Sequence, residues 1–236
     1  MKGFFLVLSA CIVFAFTTSE NLHYRGTASD LKSGQFYYTE EHEELQQGAS
    51  LSETVITYKD DAKKVIVTKK IDYSKNTIHP DFRQEDFRDG YLEGSKTENG
   101  ITELMFRKNK RKSIETKKIK IPEPAVIDGG FNNFVKQHWD QLQAGERISF
   151  NFAVPSQLDY YAFRMTKAQD VTFAGKKAVV YKMELDQPIL RALFPAILPT
   201  YNTSSKRLMQ YDGISNINDK KGKSYTVRIV YPVTGP

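Results

Sequence analysis

The sequence predicts a mainly β protein: a single strongly curved antiparallel sheet, a half-barrel, wrapped on a central helix. Two observations carry this expectation. Many segments alternate apolar and polar residues, as in Ile148, Phe150, Phe152 and Val154 against Arg147, Ser149, Asn151 and Ala153, which marks half-buried strands. Residues 128–145 instead have a helical period. Phe131, Phe134, Val135, His138, Trp139 and Leu142 fall at i, i+3, i+4, i+7, i+8 and i+11, one stripe of a helix. Asp128 reads as its N-cap and Gly145 as the glycine that ends it.

The chain opens with Met1-Lys2-Gly3 and an apolar run over 4–16, closed by small polar residues. This is the pattern of a secretory signal peptide, with cleavage expected after Thr17 or Ser19. The run is too short to span a bilayer, which needs about 20 apolar residues. Residues 1–19 are therefore expected to be a signal and 20–236 a single domain, exported most simply to a bacterial periplasm. Leu8-Ser9-Ala10-Cys11 also resembles a lipobox, so a lipid anchor on Cys11 is the alternative. The apolar run continues past Cys11, which favours ordinary cleavage. Cys11 is the sole cysteine; without it no disulfide, thiol nucleophile or thiolate metal ligand is expected. Loss of Lys2 takes the formal charge from +6 to +5. A mildly basic envelope protein suits anionic lipid or polysaccharide neighbours. The export signal disfavours nucleic acid.

In chain order, strands are expected over 23–28, 34–45 and 52–59, and over 64–73. In the last of these, Val65, Val67, Ile71 and Tyr73 share a face on which Lys69 is the exception. Residues 79–90 read as an irregular charged loop, with turns at Pro80 and Asp89-Gly90. The pieces 91–93 and 101–107 flank Glu98-Asn99-Gly100, a hairpin signal. Strands at 113–121, 148–154, 158–167, 171–173, 179–185 and 225–231 complete the sheet. Residues 188–199 are almost wholly apolar and carry three prolines. They read as one or two short helical turns lying on the sheet, kinked at Pro195, either plugging the core or gating a ligand site. Such a segment is not expected inside the ladder.

Candidate chemistry is sparse. Glu40-Glu-His-Glu-Glu44 places His42 and Glu44 on one strand face, and reads as a solvated acidic strand end rather than a metal site. His138 reads as a core-edge histidine. His79, Asp81, Glu85, Asp86 and Asp89 crowd one segment, where Arg83 and Arg88 can neutralise them. A salt-bridged loop is expected there, and a hydrolase site is the sharper alternative. There is no zinc spacing, nucleophile elbow, phosphate loop or dinucleotide fingerprint, so no catalytic residue, metal or cofactor is expected. From Arg107 to Lys120, basic residues face one acid, Glu115. Lys108, Lys110, Arg111 and Lys112 are candidates for contact with anionic lipid headgroups, or else form a solvated hairpin tip.

The order of elements resembles the periplasmic lipoprotein-carrier half-barrels of the LolA and LolB type. The segments Asp128-Gly-Gly-Phe-Asn-Asn-Phe134, Phe152-Ala-Val-Pro-Ser156 and Tyr211-Asp-Gly-Ile-Ser-Asn216 resemble uncharacterised bacterial exported proteins. The resemblance implies a bent sheet over helices that holds acyl chains. The expected function is thus non-enzymatic binding of an apolar or lipid-like ligand between sheet and helix, with Phe134, Trp139, Leu193, Phe194 and Leu198 as candidate contacts. A structural or protein-interaction module of the envelope with a fully packed core is the alternative.

Overall fold

Alternating sequence becomes strand over most of the chain. The computed structural model describes residues 21–48 and 50–232; the expected signal and Cys11 lie outside the described residues. The strands are β1 (Asn21–Asp30), β2 (Phe36–Gln47), β3 (Ser50–Lys59), β4 (Val65–Asp72), β5 (Asp81–Asp86), β6 (Leu92–Glu98), β7 (Ile101–Arg107) and β8 (Glu115–Ile119). After them come β9 (Ala125–Val126), β10 (Ile148–Val154), β11 (Asp159–Phe173), β12 (Lys176–Leu185), β13 (Leu198–Asn202), β14 (Leu208–Asn218) and β15 (Ser224–Val230). They form one sheet in the order β8-β7-β6-β5-β4-β3-β2-β1-β15-β14-β13-β12-β11-β10-β9. Every pairing is antiparallel except that of β9 with β10. The β6–β7 hairpin turns through Asn99 and Gly100, both at positive φ, as the sequence signal requires.

The sheet is open, with β8 and β9 as its edges. Its two ends nevertheless approach: Lys117 of β8 pairs with Asp159 of β11 at 3.1 Å. Asn151 of β10 donates its side chain to the Pro122 carbonyl at 2.8 Å. Across the interior, Gln84 of β5 and Asn216 of β14 exchange hydrogen bonds of 3.0 and 2.9 Å. The curl accumulates from the twist between neighbouring strands along a long antiparallel meander.

The helical segment differs from the expected single helix. A 3-10 turn at Asp128–Gly130 leads into α1 (Phe131–Gln137), His138 leaves helical geometry, and α2 (Trp139–Gln143) follows. Asp128 is not an N-cap. Its backbone is left-handed, and its carboxylate binds Lys69 at 2.7 Å. The two glycines after it permit close docking: a Cβ on Gly130 would stand 2.0 Å from the Ile78 carbonyl oxygen. The far end is as expected. Gly145 sits at positive φ, and the amides of Gly145 and Glu146 bond the carbonyls of Leu142 and Gln141, a Schellman motif. Phe134, Val135, Trp139 and Leu142 are buried in one cluster with Phe150, Met165, Tyr181 and Tyr201. The second cluster, built mainly from β1–β5, β7, β14 and β15, contains none of the helix residues. The helix therefore covers the β10–β13 part of the sheet.

Three further segments depart from expectation. Residues 81–86 form β5, in register with β4 and β6, rather than a loop. Residues 188–199 split into α3 (Pro188–Leu193), which buries no residue, and the start of β13. Pro199 thus lies within the ladder, opposite Tyr211. It fits because pairing of β13 with β12 covers only Thr200 to Asn202, with an isolated bridge at Ile197. The proline falls in the gap, where no amide is needed. β14, unanticipated, pairs with both β13 and β15.

Candidate functional site

The curled sheet leaves a cavity of about 420 Å³. Phe131 from the helix, Phe152 and Phe163 from β10 and β11, Tyr58 from β3 and Met183 from β12 form apolar walls. The strand side chains meet because each lies on the inward face of its strand, and Phe131 reaches Phe152 from the helix. A wider recess of about 790 Å³ adjoins it. His42, Asn132, Leu208 and Tyr231 line both, so the two share a wall. The recess carries Lys136, Lys177, Lys206 and Arg207 beside one acid, Glu44. Among the described residues, none of these four cations makes an ion pair. Lys206 lies over the Trp139 ring at 5.4 Å and Arg207 over Tyr24 at 5.2 Å. Desolvation, with Arg207 nearby, holds Lys136 below the usual lysine range.

A polar stripe crosses the apolar cavity. Lys69, only 3 % exposed, pairs with Asp128 and lies 5.3 Å from the Phe82 ring centre. Glu93 accepts the Tyr91 hydroxyl at 2.8 Å. Burial pushes its carboxyl up to about 7, against the pull of the Lys69 charge. Glu40 behaves oppositely. Burial opposes its ionisation, but His42, the Tyr231 hydroxyl and the Lys69 charge outweigh this and hold it below the usual range. His42 Nε2 lies 2.9 Å from Glu40 Oε1, and the His42 ring stacks on Tyr24 at 4.4 Å. The expected solvated acidic strand end is therefore wrong for Glu40, which is buried. Its neighbours make burial tolerable: Oε1 accepts the Tyr231 hydroxyl and lies beside His42 Nε2, and among the described residues no buried side-chain polar atom lacks a partner.

The structure does not gather the five anticipated ligand contacts. Phe134 and Trp139 are packed in the helix cluster. Leu193 and Phe194 are exposed, and Leu198 is half-buried at the start of β13. None of the five lines the cavity. Lys108, Lys110, Arg111 and Lys112 are exposed in the β7–β8 turn. His138 lies at the core edge, its Nδ1 3.0 Å from the Phe134 carbonyl oxygen, as expected. The 79–89 carboxylates do not converge. Asp81 pairs with Lys75, Glu85 with Arg107, and Asp86 with Arg88, while His79 Nε2 lies 2.8 Å from the Ala125 carbonyl oxygen. The cavity had one sequence signal: Lys69, the misfit on an otherwise apolar strand face.

This architecture defines the class of protein, a barrel-like open β sheet with a helical insert. It is similar to the crystal structure of a β-barrel-like protein of a domain of unknown function (DUF1849) from Brucella abortus. The match has a TM-score of 0.51 at 10% identity and covers 91% of this chain and 95% of that one. It shows the shared fold. No protein-family model and no curated protein sequence matches the chain.

Proposed function

We propose that the protein is a non-enzymatic protein of the bacterial envelope that takes up a lipid-like amphiphile. The apolar part enters the cavity between sheet and helix, and an anionic group rests among Lys136, Lys206 and Arg207. The observation that carries this is a cavity of about 420 Å³ with aromatic walls, beside a recess where Lys136, Lys206 and Arg207 make no ion pair among the described residues. Ligand cavities run from about 300 to 1,000 Å³ and combine apolar walls with a few placed polar groups. A void of this size supports ligand uptake over an interaction module with a fully packed core. The separately engaged 79–89 carboxylates lend no support to hydrolysis. The likeness to lipoprotein carriers belongs to this reading. So does export with ordinary signal cleavage, in which Cys11→Ser leaves processing unchanged.

The test is a calorimetric series of saturated fatty acids and the matching alcohols. Affinity is expected to rise about fourfold per added methylene until the cavity is full, from about 0.8 kcal/mol per buried CH₂. Acids are expected to bind more tightly than alcohols, with the difference lost in Lys206→Glu/Arg207→Glu. No saturable binding of either series, and no lipid retained by the protein from its own envelope, would refute the proposal.

A further inference from the structure

We infer that one end of the curled sheet docks on an anionic membrane surface. In an antiparallel meander, alternate connections emerge at the same end. The β1–β2, β3–β4, β5–β6, β7–β8 and β14–β15 turns therefore share one rim. Register adds α3 to it. Ala178 of β12 pairs with Asn202 of β13, so the connection from the end of β12 to the start of β13 emerges beside the β14–β15 turn.

Two features meet on this rim. The first is apolar exposure. Ile189 is 79 % exposed, Leu193 71 % and Phe194 54 %, all on or beside α3, and Phe87 in the β5–β6 turn is 58 % exposed. The second is positive charge. Lys110, Arg111 and Lys112 in one turn, and Lys220, Lys221 and Lys223 in another, are all exposed. Among the described residues, none of the six makes an ion pair. The turns touch. The Lys110 amide donates to the Asp89 carbonyl at 2.8 Å, and the Arg88 guanidinium to the Asn218 carbonyl at 2.8 Å. The turn carrying Phe87 is thus clasped between the two basic ones. Ile197, just after α3, packs against Gly213 of β14, tying the apolar helix to the same strand that leads to Lys220.

Charge decides the occupant. A second copy of the chain meeting this face would set lysines against lysines. An anionic bilayer offers what both features need: headgroups for the lysines, and an apolar layer beneath for Leu193, Phe194 and Phe87. The six residues of α3 are far too short to span that layer, so the contact is interfacial. Ile197, Ile214 and Ser224 of the cavity wall lie at this same end, so docking places the cavity against the lipid.

The experiment is co-sedimentation of the purified protein with vesicles of phosphatidylcholine alone, or mixed with phosphatidylglycerol. Binding is expected only to the mixed vesicles and weakens with salt. Lys110→Glu/Arg111→Glu/Lys112→Glu is expected to lower partitioning at least a hundredfold, from about fivefold per charge neutralised. Leu193→Asp/Phe194→Asp is expected to lower it at least tenfold. The matched triple Lys118→Glu/Lys120→Glu/Arg147→Glu, exposed at the opposite end, is expected to bind as wild type. All variants change exposed side chains, and circular dichroism verifies the fold. Failure of the wild type to bind mixed vesicles overturns the inference. So does equal loss in the opposite-end triple, or full binding by Leu193→Asp/Phe194→Asp. Fatty-acid binding in solution is measured separately, so either reading can fail alone.

Discussion

Glu93 offers a quantitative test of the cavity's electrostatics. Its carboxyl is buried, held by the Tyr91 hydroxyl, and raised from 4.5 to about 7. A raised carboxyl means that the folded protein binds more protons than the unfolded chain between those two values. Stability then falls as pH rises through that window. Below it both states are protonated and Glu93 costs nothing. Above it the folded state holds a desolvated charge. The gap of 2.5 between the two values, at about 1.4 kcal/mol for each, corresponds to about 3 kcal/mol. Glu93→Gln keeps the shape and removes the charge. The variant is expected to match the wild type near pH 4 and to exceed it by about 3 kcal/mol near pH 9. Urea unfolding across that range, by tryptophan fluorescence at Trp139, reads this directly. Lys69 is the competing influence, because its ammonium favours ionised Glu93. A variant less stable than wild type at every pH would refute the reasoning. It would mean that ionised Glu93 is satisfied by Lys69 rather than stranded.

Four other outcomes follow from the same structure. Fatty-alcohol binding to the wild type is expected to weaken above about pH 7, as ionised Glu93 charges the cavity wall, while Glu93→Gln shows no such loss in calorimetry. Trp139→Ala is expected to cost about 3–5 kcal/mol in urea unfolding, since the ring packs edge-on against Tyr181 and Tyr201; a cost below about 1 kcal/mol would place the helix at the surface. Gly130→Ala is expected to destabilise by about 1–3 kcal/mol or more, because the added carbon meets the Ile78 backbone, which cannot rotate away; an unchanged melting temperature would contradict that docking. Leu193→Ala and Phe194→Ala are expected to stay within about 0.5 kcal/mol of wild type, as exposed side chains should, whereas losses of about 2–5 kcal/mol would restore the core-plug expectation.

Periodicity by itself determined the class of fold. Ile148 and Phe150 alternate with exposed Ser149 because one face of β10 meets the interior and the other meets solvent there, whereas Ala153, on the polar side of the pattern, is buried. Asn99-Gly100 marked its hairpin, and Gly145 its helix end, because few residues adopt positive φ. Such features depend on a residue and its near neighbours, so a linear reading finds them. β5 escaped that reading because its inward face, beyond Phe82, is polar. Gln84 and Asp86 are buried there, satisfied by Asn216 and by Arg88, itself anchored on Asn218. The alternation exists, but hydrophobicity does not record it when the partner that makes burial tolerable is more than a hundred residues away. Pro199 misled for a related reason, since only the pairing of β12, β13 and β14 reveals a place where no amide is needed.

The cavity and the basic, apolar rim were decided by tertiary structure alone. Lys69 stood out in the sequence as a misfit, but only the curl of the sheet brings it to Asp128, and near Glu93 and Tyr58 from other strands. The apolar segment at 188–199 and the basic turn at 107–112 were each visible in the chain with no sign that they belonged together. The order of strands in the sheet puts them at one end. A void and a rim are properties of how strands close on one another, and curvature accumulates over the whole meander rather than residing in any one segment.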